Sequence, residues 1–328
     1  MVHKIIVDTD PGVDDVLAIL LLLSSPEVSI EVISVCFGNT TVDKASLNIQ
    51  KLYHVLDRHI AQHPGEKNRF AGLQTTTKTK LVKGASGPLE GTLDLAEYFH
   101  GPDGLSDITT THTEFDAPVA VPQHSPLLLS SEPAHDAILS TLASEPPLSV
   151  TLLSLGPLTN VALALKKDPQ TFSRVKRVVT MGGTFETPGN TSPASEFNFF
   201  ADPYAVDIVL KSATLGHFDF LLTPLDITSQ HTIPFGDLIR PDAEQRTPNI
   251  LRSFIDPVLS RTRRVLTAWG YTGDLFGMHD PLAAFFVIDH AEIRGLDLKV
   301  GWATKKREFI IERTGELTKG MCVVDRRT

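Results

Sequence analysis

Short β-branched runs alternate with leucine- and alanine-rich stretches along most of this chain, and that alternation limits its fold more than any other feature. Residues 4–8 form one such run, ending in the turn Asp8-Thr9-Asp10-Pro11-Gly12. Residues 14–23 follow as a helix, with Asp14 and Asp15 in the first turn, where acids suit the helix dipole. Residues 29–36 read as the next strand and 42–56 as the next helix. The pattern resumes with strands at 149–155, 177–181 and 218–222 and helices at 158–165 and 201–210. It predicts an α/β fold, an open and mostly parallel sheet with helices on both faces. Beyond residue 250 the spacing loosens. Helices are expected over 250–269 and 281–288, and edge strands or hairpins at 299–303, 308–312 and 321–324. The polar stretches 75–80 and 109–125 read as surface loops. No internal repeat or linker divides the chain, so one domain over 1–328 is expected.

Composition mainly excludes. The 328 residues carry a formal charge of -9 and a sequence pI near 5.7, so the chain has no global pull toward nucleic acid or anionic membrane. The basic run Lys305, Lys306 and Arg307 is short and reads as the solvated edge of a strand. The two cysteines, Cys36 and Cys322, sit in apolar runs without metal-site spacing and read as buried thiols. The first residues show no secretory signal, and the apolar run 16–23 is too short to span a bilayer. A soluble cytoplasmic protein is the expectation.

Chemistry concentrates where strands end and helices begin, the place where open α/β sheets bind ligands. Asp8-Thr9-Asp10-Pro11-Gly12-Val13-Asp14-Asp15 places four carboxylates within one turn. Like charges this close repel unless protonation or a cation relieves them, and a hard cation with oxygen ligands is the direct remedy. The plainer alternative is a capped helix start with solvated acids. A third is a haloacid dehalogenase-type phosphatase, but the Pro-Gly-x-Asp-Asp continuation does not suit it. Gly38-Asn39-Thr40 reads by itself as a turn. Leu155-Gly156-Pro157 leaves a strand-end carbonyl at Leu155 as a neutral oxygen donor, or is merely a strand-to-helix turn. Glu196-Phe197-Asn198 follows a Gly/Pro/Ser/Thr-rich loop over 182–195, of a length that tends to carry function. His279-Asp280 sets an imidazole beside a carboxylate at a helix start.

Taken in order, these residues resemble the inosine-uridine-preferring nucleoside hydrolases. The resemblance rests on Asp8 through Asp15 and on Gly38-Asn39, His100-Gly101-Pro102-Asp103-Gly104-Leu105, Gly156-Pro157-Leu158-Thr159-Asn160 and Met181-Gly182-Gly183. It continues through Glu196-Phe197-Asn198, Leu225-Asp226-Ile227-Thr228 and His279-Asp280-Pro281, and so spans nearly the whole chain. It implies a Ca2+-dependent enzyme that splits uridine- or inosine-type ribonucleosides into ribose and free base, for nucleoside salvage. By that resemblance Asp10, Asp15 and Asp280 are carboxylate ligands to calcium, and Leu155 gives its backbone carbonyl. Many members have Thr at that place, but a carbonyl ligand does not depend on its side chain. Asp14, Asn39, Glu196 and Asn198 are expected on the ribose hydroxyls, with Met181 against the sugar and Asp280 and His100 also on substrate. Asp10 would take the proton of a water that calcium acidifies, and His279 would protonate the leaving base.

Base choice is open. Trp269 and Tyr271 could stack on a base or be rim aromatics, and Gln230 and His231 could face it. The His279 type of site implies a broad or pyrimidine-tolerant enzyme, acting as a homodimer or homotetramer. A non-catalytic nucleoside sensor on the same scaffold is disfavoured by the presence of Asp10.

Overall fold

Ile5, Ile6 and Val7 are all fully buried, yet they point to two different cores. Ile5 and Val7 join one cluster and Ile6 the other, as the two-residue period of a strand requires when helices cover both faces. Their strand is the middle one of a seven-stranded sheet in a computed structural model of the chain, which describes residues 2–75, 77–118, 120–239, 249–293 and 297–327.

The strands are β1 His3–Thr9, β2 Val28–Val35, β3 Thr79–Lys83, β4 Leu127–Ser130, β5 Val150–Ser154, β6 Arg177–Met181 and β7 Phe220–Thr223. Their order is β4-β3-β2-β1-β5-β6-β7, and every pairing is parallel. Succession runs one way from β1 to β4 and the other way from β5 to β7. The chain therefore reverses direction between β1 and β5, and the loops leaving those two strands diverge to open a crevice. Two small antiparallel pairs lie outside the sheet, β8 Thr232–Pro234 with β9 Leu275–Gly277, and β10 Ile310–Ile311 with β11 Cys322–Val323.

The first helices are α1 Val13–Ser24, α2 Val42–Gln62, α3 Glu97–His100, α4 Ile108–Thr111, α5 Ala134–Ser144 and α6 Thr159–Lys167. After them come α7 Pro169–Phe172, α8 Phe197–Ala201, α9 Pro203–Thr214, α10 Leu225–Thr228, α11 Phe235–Leu238, α12 Ile250–Ala268 and α13 His279–Asp289. Apolar side chains of α1, α2, α12 and α13 cover the Ile5 face, and those of α5, α6 and α9 cover the Ile6 face. Helix α1 packs along α13. Among the described residues no helix is long and apolar enough to cross a membrane.

The α/β expectation holds, with local corrections. β3 begins inside the stretch expected as a loop over 75–80, because Lys80 and Lys83 gave it a polar look. Four-residue β4 forms one edge of the sheet and was too short to read. In the stretch 109–125, α4 and a 3-10 turn at Thr113–Phe115 replace a plain loop, with Phe115 buried. Thr76 and Val119, in those two stretches, lie outside the described residues. Residues 299–303 form no strand, and the expected strands at 308–312 and 321–324 shrink to the two-residue partners β10 and β11. The basic run is not on a strand; Arg307 pairs with Glu186 at 2.9 Å and stands over the Phe185 ring. Both cysteines are buried free thiols.

Candidate functional site

The loop after β1 enters the crevice and turns at once into α1. Asp15 is the third residue of that helix, and its Oδ2 accepts the Gly12 amide at 2.9 Å, closing the helix start. The same carboxylate accepts Asn39 Nδ2 at 2.9 Å and the Thr9 hydroxyl. The capping reading of these acids thus holds for Asp15, but it leaves the others unexplained.

Asp10 is fully buried. Its Oδ2 accepts the Asn39 amide at 2.7 Å, while Oδ1 is buried with no protein partner. Two glycines make room for it. A Cβ at Gly38 would fall 1.9 Å from Asp10 Oδ2, and one at Gly156 would fall 2.5 Å from Asp10 Oδ1. The turn Gly38-Asn39 and the end of β5 are therefore walls of a carboxylate cradle.

Asp14, Asp15 and Asp280 each offer an oxygen within 4.8 Å of the others. Asp280 arrives from the first turn of α13, so the N-termini of two packed helices meet at this cluster. Burial raises the pKa of Asp10 and Asp280 far above the usual carboxylate range, and the neighbouring aspartates add to the shift. Burial raises Asp15 too, against the opposing pull of its Thr9 and Gly12 hydrogen bonds. Burial first, and then the neighbouring Asp15 charge, raise the pKa of Asp14 to about 7. An all-oxygen donor set with crowded carboxylates and an orphaned buried oxygen fits a hard divalent cation.

The opposite wall comes from β5, β6 and α8. Leu155 O accepts Asn198 Nδ2 at 2.7 Å and, having two lone pairs, can accept again. Asn198 Nδ2 also reaches Met181 O at 3.2 Å, at the end of β6 where Met181 is buried. Glu196 caps α8. Its Oε1 accepts the Asn198 amide at 2.8 Å, and its Oε2 accepts the amides of Gly183 at 2.8 Å and Phe199 at 3.1 Å. Burial outweighs these donors and lifts its pKa to about 7.

Both expected histidines lie at this end of the sheet. His279 Nδ1 is 2.8 Å from Thr228 Oγ1, and burial lowers its pKa. His100 Nδ1 accepts the Val13 amide at 3.2 Å, which gives it a role in seating α1. Burial first, then the charge His279 would carry, holds His100 neutral with a pKa of about 3.

The base-side candidates separate. Trp269 packs at a tilt beside Phe99 and Tyr98, with ring centroids 5.7 and 6.1 Å away, and Phe99 adjoins His100 at 4.8 Å. Tyr271 is 67 % exposed. Gln230 Nε2 donates to Asp226 O at 2.5 Å and His231 Nδ1 lies 2.9 Å from Ile227 O, so both fold back on their own turn.

Some residues of the site were not singled out from the sequence. Fully buried Asp8 accepts Ser34 Oγ at 2.6 Å and Asn160 Nδ2 at 2.8 Å beneath the crevice. Burial lifts its pKa to about 7. Asp226 accepts the amides of Phe185, Glu186 and Thr187, at 2.8, 2.7 and 3.2 Å, and so shapes the loop ahead of Glu196. Both acids stand inside quoted motifs, but nothing in a motif separates the residues that support a loop from those that face a ligand.

A sequence profile described as inosine-uridine preferring nucleoside hydrolase matches residues 5–328. Uridine nucleosidase 1 of Arabidopsis thaliana is 34% identical over 238 residues, 72% of this chain and 60% of that protein. The pyrimidine-specific ribonucleoside hydrolase RihA of Salmonella arizonae is 31% identical over 326 residues, covering 99% of this chain and 89% of that one. Among solved structures, an inosine-guanosine nucleoside hydrolase superposes with a TM-score of 0.76 at 27% identity, over 100% of this chain and 89% of that one.

Proposed function

Because the chain belongs to the inosine-uridine preferring nucleoside hydrolase family, whose enzymes act on N-glycosyl compounds, we propose that it hydrolyses uridine- or inosine-type ribonucleosides to ribose and free base in a calcium-dependent reaction. The observation that carries the reading is Asp10, a buried carboxylate with one unpartnered oxygen beside three further acids. Nucleoside salvage is the corresponding physiological role.

Asp10, Asp15, Asp280 and the Leu155 carbonyl would hold the calcium, which when bound supplies the positive charge that grips vicinal hydroxyls and makes water more acidic. Asp10 is the proton acceptor for the attacking water, since its Oδ1 has no competing protein donor. Asp14, Asn39, Glu196 and Asn198 orient the ribose, and Met181 packs against it. Departure of the base leaves oxocarbenium-like charge on the sugar, and the carboxylates favour that charge more than the neutral substrate. His279 serves the leaving base. As the imidazolium it passes a ring proton to the departing nitrogen and relaxes to the neutral ring that burial favours, while Thr228 Oγ1, 2.8 Å from Nδ1, orients it.

The relatives named above differ in base, being named for uridine, for pyrimidines and for inosine with guanosine. That spread supports the ribose-directed reading and leaves the base to assay. Reducing-sugar release from uridine, inosine, cytidine and adenosine, with and without a chelator, tests it. Ribose release that a chelator abolishes and calcium restores is the expected result; chelator-resistant turnover would remove the metal from the account.

A further inference from the structure

We propose that Lys319, on the turn joining β10 to β11, is a positioning residue for the sugar-facing segment that carries Glu196 and Asn198; the inference rests on the ribonucleoside reading above. Lys319 Nζ pairs with Asp94 Oδ2 at 2.8 Å and stands 4.2 Å over the Phe200 ring. Its carbonyl accepts Ser195 Oγ at 2.5 Å. Ser195 and Phe200 flank Glu196 and Asn198, so one residue fastens both sides of that short segment.

The tie extends to the other wall. Two residues after Asp94, the Ala96 amide donates to Gly38 O at 3.0 Å, and Gly38 is the glycine pressed against Asp10. Lys319 thus joins the segment that presents Glu196 to the strip that supports the Asp10 cradle. Gly320 makes the approach feasible. It has φ +80°, and a Cβ there would fall 2.5 Å from Phe200 Cα, so the turn lies directly on the backbone of α8. The ammonium and the carboxylate are 22% and 35% exposed, which screens the pair less than an open surface would.

Glu196 is aimed by three backbone amides of its own neighbourhood, from Gly183, Asn198 and Phe199. A small shift of that backbone therefore turns the carboxylate away from the sugar. Asp10 and His279 keep their own contacts, to the Asn39 amide and to Thr228, which this segment does not supply. The consequence falls on substrate affinity more than on turnover.

The test is steady-state kinetics of the full chain with uridine and inosine under saturating calcium. Lys319→Met should raise KM about tenfold while kcat falls less than about threefold, since misorientation of a binding group costs factors of that order. Lys319→Arg should restore the wild-type KM by keeping the charge for Asp94 and the contact with Phe200. Asp94→Asn should reproduce the rise, and the double variant should show no further increase, as expected of two members of one interaction. A lower melting temperature with unchanged KM would mean a merely structural role and would overturn the proposal. If Lys319→Met does not fold, Asp94→Asn decides: a wild-type KM in that variant overturns the proposal as well. A wild-type chain that releases no ribose would sink the ribonucleoside reading itself, whereas normal wild-type turnover with an unmoved KM in the variants sinks only Lys319.

Discussion

On one wall of the cleft, Asp10, Asp14 and Asp15 come from a single turn after β1; on the other, Leu155, Met181, Glu196 with Asn198, and His279 come from four separate stretches of chain. The first wall is crowded with like charges and has an oxygen without a partner. The second is almost fully satisfied, with Glu196 and Asn198 held by backbone donors and acceptors. The difference teaches a division of labour. On the proposed reading, the contiguous wall is the one completed by an ion, and the composite wall is the one that presents fixed groups to the sugar. Substitutions on the first should therefore cost chemistry and cation dependence, and those on the second recognition.

The largest effect is expected at Asp10. Asp10→Ala should lower kcat about 10³- to 10⁴-fold with the far-ultraviolet circular dichroism of the wild type, since on the proposed reading it removes the proton acceptor and not a core packing group. Normal turnover in a well-folded variant would break the assignment. Next comes His279→Ala, which should slow uridine and inosine about 10²-fold but nitrophenyl riboside less than about tenfold, because that leaving group needs little protonation. Equal losses on both substrates would take His279 out of the acid role. On the composite wall, Glu196→Gln keeps the shape and removes the charge-assisted acceptor. A loss in kcat/KM of about ten- to a hundredfold is expected; an unaffected value would place the sugar elsewhere.

The smallest effect is in stability, and its sign follows from protonation. Asp8 and Glu196 have folded-state pKa values of about 7, above the ordinary carboxylate range near 4. Between those values the folded chain binds more protons than the unfolded one, so these groups lose stability as pH rises through the window. His100, held neutral down to about pH 3, works oppositely, losing stability as pH falls below the ordinary histidine value of about 6.5. From about pH 6.5 to 8 the carboxyls act alone, joined by the clustered aspartates. The melting temperature of chelator-treated protein should fall by a few degrees over that range. Calcium should remove the share of the fall that the clustered aspartates contribute; a fall of the same size with calcium present would count against the crowding of the first wall.

How much of this was legible follows the same division. The first wall lies within one octapeptide, so charge repulsion and turn chemistry could be argued from adjacent letters. The sheet was readable wherever a buried strand carries a short β-branched or leucine run, as in β1, β2, β5 and β6. It was not readable at β3, where Lys80 and Lys83 bracket Leu81 and Val82, or at β4, where four residues carry no periodicity. On the second wall the motif supplied candidates but not their contacts. That Asn198 holds Leu155 O, that Thr228 meets His279, and that Asp226 gathers three amides are facts of tertiary geometry with no local signature. The stretches 299–303, 308–312 and 321–324 looked like edge strands or hairpins, yet the chain around them braces the loop before α8 through Arg307, Lys319 and Arg326.

The meeting of α1 and α13 at the acid cluster has a mechanical consequence. Asp15 and Asp280 lie near opposite ends of the sequence, so an ion bridging them would act as a removable cross-link closing most of the polypeptide into a ring. Loop closure over so long a span restricts the unfolded chain by an amount that grows with the logarithm of its length. Loading the ion would slow amide exchange in both helices together, turning a reagent of the chemistry into a staple between the first and last thirds of the molecule.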